Sequence, residues 1–575
     1  MPWKISRLPP RVGTIMRQAA TDATHDQPGD RWFWLLLAVV TSVELALLIY
    51  FIREDARSPT YDDAWYLENS LYLYHRLREG GLREFVAAYT EAMRIKPPLI
   101  AVLPIPFYSL FGPGVDSALL INAVFLLVAN IYLFRLVQGW YGSATALLSV
   151  IIFQTFPVTI GMSRAFMTEF GLVALIISFL YYLVASDHFR LGSQNLKLGF
   201  VGGLGMLMKI NFLLVAAPVL VAILYRARRK PSGESTAEAN RVLEWYARHP
   251  VWSISATAAL VAGSWYAFNL AEVVEFTLRY SIGSIGLYQA AGRDLWLWGA
   301  ALVAISTYYA GAALLLGSLA IVYLVLGARF RLKESTMILL SWFLPGGAAA
   351  FVGSHGDYRY VLAVLPPVAI FIAVSVKHIC EWLRPNRTIQ AMTAAAFCTF
   401  PLYCYVALTF PLPAWPETLQ VGKIPMFRRH LGWARPPDQY GDWGQDRIVA
   451  AARELSVGAD KPANVIVGVE HPFFNANVLG YLNARDDGPL RFHSLGFDPD
   501  TPIEIALRSG QQRLQGLNPS VIVMAEGFKQ EELQGFINRL NEHIKDMLVQ
   551  RQLPFQRSTE IQLTPSVRAV LYRRL

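Results

Sequence analysis

Apolar runs of membrane length recur along the chain from residue 32 to about residue 410, and then they stop. No other feature narrows the possible folds as far. A chain inside a bilayer must satisfy its backbone polar groups internally, so repeated apolar runs of about twenty residues dictate a bundle of helices. Composition agrees: 54% of the 575 residues are hydrophobic and only 16% are charged, fewer charges than a soluble protein of this size carries. The pattern predicts a polytopic α-helical membrane protein. Residues 1–31 form a cytoplasmic tail, residues 32–411 the transmembrane region, and residues 412–575 an extracytoplasmic α/β domain. The first apolar run is long enough to span and follows about thirty polar residues, so it reads as a retained anchor.

The net charge of +9 does not point to nucleic acid. The basic residues cluster in short loops between spans, where they set orientation, and no basic face gathers in the soluble part. Arg7, Arg11, Arg17 and Arg31 precede the first span, which places residues from Arg53 onward outside. The apolar stretch after Lys96-Pro97-Pro98 runs only to Phe111 and carries Pro104 and Pro106. It is short for a span and reads as an interfacial helix on the outer surface. With that choice the basic segments 226–230, 329–333 and 377–387 all fall inside. The remaining spans run over 116–137, 143–161, 167–185, 196–209, 211–227, 251–270, 298–326, 334–352, 360–380 and 390–411, about eleven in all.

This topology gathers polar groups on the outer side. Asp62, Asp63, Tyr66 and Lys96 lie in the first external loop, residues 53–115. Arg164 and Glu169 flank an external turn, and Lys209 ends a glycine-rich helix between apolar walls. Glu272, Glu275 and Arg279 follow a later span, and His355, Asp357, Tyr358, Arg359 and Tyr360 precede another. Ionisable residues at membrane depth are costly and tend to be functional. Lysine and arginine suit a phosphate, and a carboxylate suits removal of a proton from a hydroxyl. The plainer readings are solvated helix caps for Asp62 and Asp63, a snorkelling anchor for Lys96, and a mutual pair for Arg164 and Glu169. His355 lacks the spaced partners of a metal ligand.

The order of motifs is more telling than any one of them. Asp62-Asp63-Ala64-Trp65-Tyr66 opens the first external loop, and Lys96-Pro97-Pro98-Leu99 follows. Glu169 starts a span, Gly203-Leu204-Gly205-Met206-Leu207-Met208-Lys209 ends another, and Tyr360 to Pro367 opens a late one. Together they resemble the polyprenyl-phosphate-dependent glycosyltransferases of the membrane-embedded C-type fold, GT-C. The nearest branch holds the bacterial lipid A aminoarabinose transferase and the protein O-mannosyltransferases. The resemblance covers roughly residues 32–411. It implies a multi-pass protein of the bacterial cytoplasmic membrane that transfers a sugar, with inversion, from an undecaprenyl-phosphate-linked donor. The acceptor, at the outer face, would be a glycolipid, a polysaccharide or a protein. It also implies Asp62 as general base, Glu169 shaping the pocket beside it, and Lys209 with Arg279 on the donor phosphate. Lys96 and Tyr360 would line the pocket; Asp63, Tyr66, Arg164, Tyr358 and Arg359 complete the candidate substrate-binding set. Two positions depart from the aminoarabinose branch: Trp65 stands where that branch has arginine, and Ile95 where it has a glutamate implicated in metal binding. No cofactor is assigned, and a divalent metal stays open.

Beyond residue 412 the sequence turns polar. Val465–Val469, Val521–Ala525 and Ala569–Tyr572 read as strands and Glu531–Val549 as a helix, which suggests a small α/β domain. The linker 415–445 carries Trp415, Trp433 and Trp443 and is placed to cover an outer cavity, with the tryptophans as an interfacial belt or a sugar platform. A competing reading of the same cations is a transporter or flippase for a lipid-linked or other amphiphilic anion. Such a protein would show internal repeats, and the sequence shows no convincing one.

Overall fold

The structure is a computed structural model. It describes residues 30–229, 240–278, 317, 334–353, 358–382, 387–422, 424–430, 432–458, 462–495, 503–529, 533 and 535–575. Among these, five helices are long and apolar enough to cross a membrane, or six if one bent pair counts as a span. They are α1 (Asp30–Glu54), α5 (Val115–Tyr141), α8 (Thr168–Ala185), α12 (Pro250–Phe276) and α14 (Leu365–Trp382, extended by the 3-10 turn Tyr358–Val364). The bent pair is α6 (Ser143–Gln154) and α7 (Pro157–Ser163), which meet at 71°. Pro157 explains the break, since it cannot donate to the preceding turn.

Other helices fill the gaps. The first loop holds the long helix α2 (Tyr61–Glu91), kinked at Gly81 with φ 67°, and the short apolar helices α3 (Leu99–Val102) and α4 (Ile105–Phe111). Further along lie α9 (Gly192–Met208), α10 (Phe212–Arg229), α11 (Arg241–Arg248), α13 (Glu334–Gly353) and α15 (Arg387–Thr409). The expected span 298–326 lies outside the described residues, apart from Gly317.

Two features of sequence have packing reasons. Gly199 and Gly203 let α9 lie against α12: a Cβ at Gly199 would meet the Ile254 carbonyl oxygen at 2.8 Å, and one at Gly203 the Ala258 carbonyl oxygen at 2.9 Å. Close backbone approach of this kind is how small residues associate helices in lipid. Asn130 binds three partners across helices: its amide donates to Thr41 (3.0 Å) and Glu44 (2.7 Å), and its carbonyl accepts from Gln154 (2.6 Å). This network ties α1, α5 and α6 together without leaving a buried polar group unmet.

The bundle has two chemically distinct ends. At one end His188 and Arg226 meet Glu334, and Lys377 donates to the Tyr141 carbonyl. The N-terminus of α1 is there too, since Ser143 donates to Asp30. At the other end lie the C-terminus of α1, the N-termini of α2 and α8, the α9–α10 break, and Arg359.

After α15 comes the hairpin β1 (Thr418–Val421) and β2 (Ile424–Arg428). The chain then folds as an α/β unit with helices α16 (Asp446–Leu455), α17 (Ala476–Arg485), α18 (Ile503–Leu517) and α19 (Gly535–Val549). Its five strands are β3 (Ala463–Val467), β4 (Leu490–Ser494), β5 (Val521–Glu526), β6 (Phe555–Gln562) and β7 (Arg568–Arg574). Their order is β4-β3-β5-β7-β6, parallel over the first three and antiparallel over the last two. The central strands β3 and β5 are buried on both faces, which explains their continuous apolar runs. Helix α17 packs on α2, and Asn477 donates to the Tyr61 carbonyl at 3.1 Å, so this unit rests on the helix that carries Asp62.

Candidate active site

Asp62 lies in the first turn of α2, where a carboxylate is favoured by the helix N-terminus. Its Oδ1 lies 3.4 Å from Lys96 Nζ, and its Oδ2 accepts from Arg359 at 2.9 Å. Lys96 is placed by the turn that follows α2, which its own N–H closes by donating to the Met93 carbonyl at 2.8 Å. The short helices after that turn are tied to α2: Ser70 donates to the Ala101 carbonyl of α3 at 2.7 Å, and Tyr108 of α4 donates to Ser70 at 3.0 Å. The ammonium sits 5.0 Å from the Trp65 ring centroid and 5.2 Å from that of Tyr66, within cation–π range.

Glu169 occupies the first turn of α8 and is only 4% exposed. Lys209 Nζ donates to its Oε1 at 2.6 Å, and Arg359 Nε lies 3.8 Å from the same oxygen. Lys209 leaves the helical path just after α9 and projects beside Tyr360, 4.7 Å from the ring centroid. Arg359 therefore bridges both carboxylates from a third element. Its guanidinium also lies 5.3 Å from the Tyr360 centroid and 5.5 Å from that of Trp433.

These groups line one cavity of about 220 Å³. Its wall includes Asp62, Glu169, Lys96, Lys209 and Arg359, three cations against two carboxylates, so the lining carries a net charge of one positive unit. Tyr66, Tyr360, Met208, Ile210 and Phe276 supply apolar surface. Burial pushes the Asp62 carboxyl up, but Lys96 and Arg359 more than offset this and hold it below its usual value. Burial also draws the Lys96 ammonium down, against the attraction of Asp62. The set suits an anion that can take over the cations from the carboxylates.

Asp63 turns the other way. It is 6% exposed, and its Oδ2 accepts from Thr60 at 3.1 Å and from Trp433 at 3.2 Å. Burial pushes its carboxyl up to about 6. It lines a second, narrower cavity with Asp55, Arg57, Arg164, Trp433 and Arg435. Arg164 belongs to that side and does not pair with Glu169. It donates to the Leu408 carbonyl at 2.5 Å and to Thr409 at 2.6 Å, and so stitches the turn before α8 to the end of α15.

The structure thus brings Asp62, Tyr66, Lys96, Glu169, Lys209, Arg359 and Tyr360 together and sets Asp63 and Arg164 behind them. Arg279, His355 and Asp357 lie outside the described residues, as does the side chain of Tyr358. Trp433 is a hydrogen-bond donor to Asp63 from a distant linker. No local sequence signal marks that role. Ile95 lines the cavity beside Lys96 and offers no ligand atom, so the lining residues do not fit a metal held through that position.

Residues 95–237 match the family model described as dolichyl-phosphate-mannose-protein mannosyltransferase, a segment that contains Lys96, Arg164, Glu169 and Lys209. Among solved structures the chain is similar to ArnT from Cupriavidus metallidurans in the apo state. The identity is 14% and the TM-score 0.50, over 93% of this chain and 97% of that one. The same protein bound to undecaprenyl phosphate gives a TM-score of 0.51 at the same identity and coverage. No curated protein sequence matches. The architecture is therefore the membrane-embedded C-type fold that the motif order implied, with an α/β unit after the last helix.

Proposed function

We propose that this chain is a glycosyltransferase that moves a sugar from a polyprenyl-phosphate donor, of the undecaprenyl type, to an acceptor hydroxyl or amine. The observation that carries the reading is the cavity in which Lys96 and Arg359 share Asp62 while Lys209 and Arg359 share Glu169. A phosphate entering it would compete with both carboxylates for these cations. As Lys96 and Arg359 turn to the phosphate, Asp62 loses the partners that hold its basicity down, and becomes a better proton acceptor when the donor is bound. The acceptor oxygen or nitrogen then attacks the anomeric carbon from the face opposite the phosphate. The new bond forms as the carbon–oxygen bond to phosphate breaks, the proton passes to Asp62, and polyprenyl phosphate leaves with the bonding pair. One displacement inverts the anomeric centre. Lys209 and Arg359 stabilise the charge that grows on the leaving phosphate, and Glu169 holds them in place.

The likeness to an ArnT structure bound to undecaprenyl phosphate supports the class of donor. The basic end of the bundle, with Arg226 and Lys377, supports a cytoplasmic placement for that end and an outer-face placement for the cavity. The test uses purified protein, a polyprenyl-phospho-sugar and a panel of acceptors. Asp62→Asn is expected to lose about 10²–10⁴-fold in turnover, the usual contribution of a positioned base, with donor binding retained. Equal turnover in the variant refutes the assignment of the base. A donor carried across vesicles without sugar transfer refutes the glycosyltransferase reading in favour of transport.

A further inference from the structure

Helix α2 continues well past the cavity, and its second half meets the C-terminal unit. There His75 and Glu79, one helical turn apart, share a face. Asp487, in the turn after α17, approaches the same face. One ligand atom from each of the three lies within 4.8 Å of the others, and His75 Nδ1 is 4.0 Å from Asp487 Oδ1. The cluster is not merely acidic surface, since the imidazole is 8% exposed between the two units.

A single carbonyl sets this geometry. The Ala484 oxygen pairs with His75 Nε2 at 2.9 Å and accepts from the Asp487 backbone N–H at 3.1 Å. The first contact places the ring proton on Nε2, because a carbonyl can only accept. In the neutral ring, Nδ1 then presents its lone pair toward Asp487. Metal-ligating histidines are oriented in this way, by a hydrogen bond from the other ring nitrogen to a carbonyl. The second contact closes the turn that holds Asp487 at φ 52°, a left-handed conformation that aspartate tolerates better than most residues.

Among the neighbouring charges, Asp486 and Arg485 are paired with other groups, and the Arg76 cation acts on Glu79. Asp486 lies 3.0 Å from Arg485 and 3.6 Å from Arg453, and Arg485 also meets Asp446 at 2.9 Å. Arg76 lies over the Tyr72 ring, 5.2 Å from its centroid. Asp487 instead faces Glu79, its ligand oxygen within 4.8 Å of that of Glu79. Two carboxylates side by side with an imidazole nitrogen form a donor set for a divalent cation.

We propose that His75, Glu79 and Asp487 form a divalent transition-metal site of the zinc type that clamps the C-terminal unit onto helix α2. Tetrahedral ligands at about 2.0 Å from zinc lie about 3.3 Å apart, so closure needs the His75–Asp487 spacing of 4.0 Å to contract by about 0.7 Å and the others by at most about 1.5 Å. Two exposed carboxylates can move that far by rotation about their own side-chain bonds. One nitrogen and two oxygens leave a fourth position for water. They suit zinc or manganese better than calcium, which takes six or more oxygens. The site lies away from the cavity, shares no residue with it, and does not depend on the transferase reading.

The experiment uses the full chain in detergent, stripped with a chelator, equilibrated with zinc chloride, dialysed, and assayed for metal by mass spectrometry. Wild type should retain one zinc per chain, while Glu79→Gln and Asp487→Asn should each weaken zinc binding tenfold or more. X-ray absorption should show one nitrogen and oxygens at about 2.0–2.2 Å. Zinc should slow proteolytic release of the C-terminal unit in wild type but not in Asp487→Asn, and calcium should do so in neither. Both variants preserve side-chain shape and leave the His75–Ala484 contact intact, so their folding is checked by unchanged elution on gel filtration. Wild type that retains no zinc, or variants that retain as much as wild type, overturns the proposal.

Discussion

The ion pair between Glu169 and Lys209 offers the sharpest test of the cavity. Lys209 Nζ lies 2.6 Å from Glu169 Oε1, and Arg359 Nε lies 3.8 Å from the same oxygen. At 2.6 Å and an effective dielectric constant of about 20, the attraction is ~6 kcal/mol before the cost of burying both charges. That cost removes much of the gain, but breaking one side of a buried pair leaves a stranded charge and costs about 3–5 kcal/mol. The two single variants should differ. Lys209→Met leaves Glu169 with Arg359 nearby, whereas Glu169→Gln leaves three cations facing Asp62 alone. Glu169→Gln should therefore lower thermal stability more. The double variant removes both charges, and its loss should fall short of the summed single losses by about 2–3 kcal/mol. Thermal unfolding of the four purified proteins, followed by tryptophan fluorescence in one detergent, measures the cycle. Additive losses, or a larger loss in Lys209→Met than in Glu169→Gln, would refute the account of a shared buried network. The double variant should also be folded yet inactive in sugar transfer.

Three further outcomes concern the wall behind Asp62. Trp433→Phe removes a donor from a buried carboxylate and should cost about 1–3 kcal/mol, read as a lowered Tm. Asp63 titrates at about 6 in the folded chain against an ordinary 3.8, so the folded state binds its proton more tightly than the unfolded state does. Stability should then fall as pH rises from about 4 to about 6, by up to about 3 kcal/mol, and level off above; Asp63→Asn should flatten that slope in a Tm-against-pH series. Gly161→Ala should place a Cβ 2.8 Å from the Ala434 nitrogen and 2.9 Å from the Trp433 carbonyl carbon, both backbone atoms that must shift. A loss of about 1–3 kcal/mol is expected, with weakened quenching of Trp433 fluorescence as its indole leaves Asp63.

Several elements were legible because membranes impose simple rules on sequence. Helical spans, the break before Lys209 and the strands β3, β5 and β7 all follow from apolar length or apolar runs, since buried backbone must be paired within helices or sheets. Asp62, Lys96, Glu169 and Lys209 were legible as residues because each sits at the edge of an apolar segment, where a charge is conspicuous. One reading needed adjustment: Arg164 turns to the end of α15 instead of pairing with Glu169.

What sequence alone determined is a bundle of apolar helices, a following α/β unit, and a short roster of charged residues at helix ends. These depend on periodicity and local burial, which a linear chain displays. Only the tertiary structure decided which of those charges meet. Arg359 reaches Asp62 across 297 residues, and Trp433 reaches Asp63 across 370. Asp487 comes to His75 only because α17 packs on α2. Electrostatic partnership depends on distances of a few ångströms in space, and separation along the chain carries no record of them.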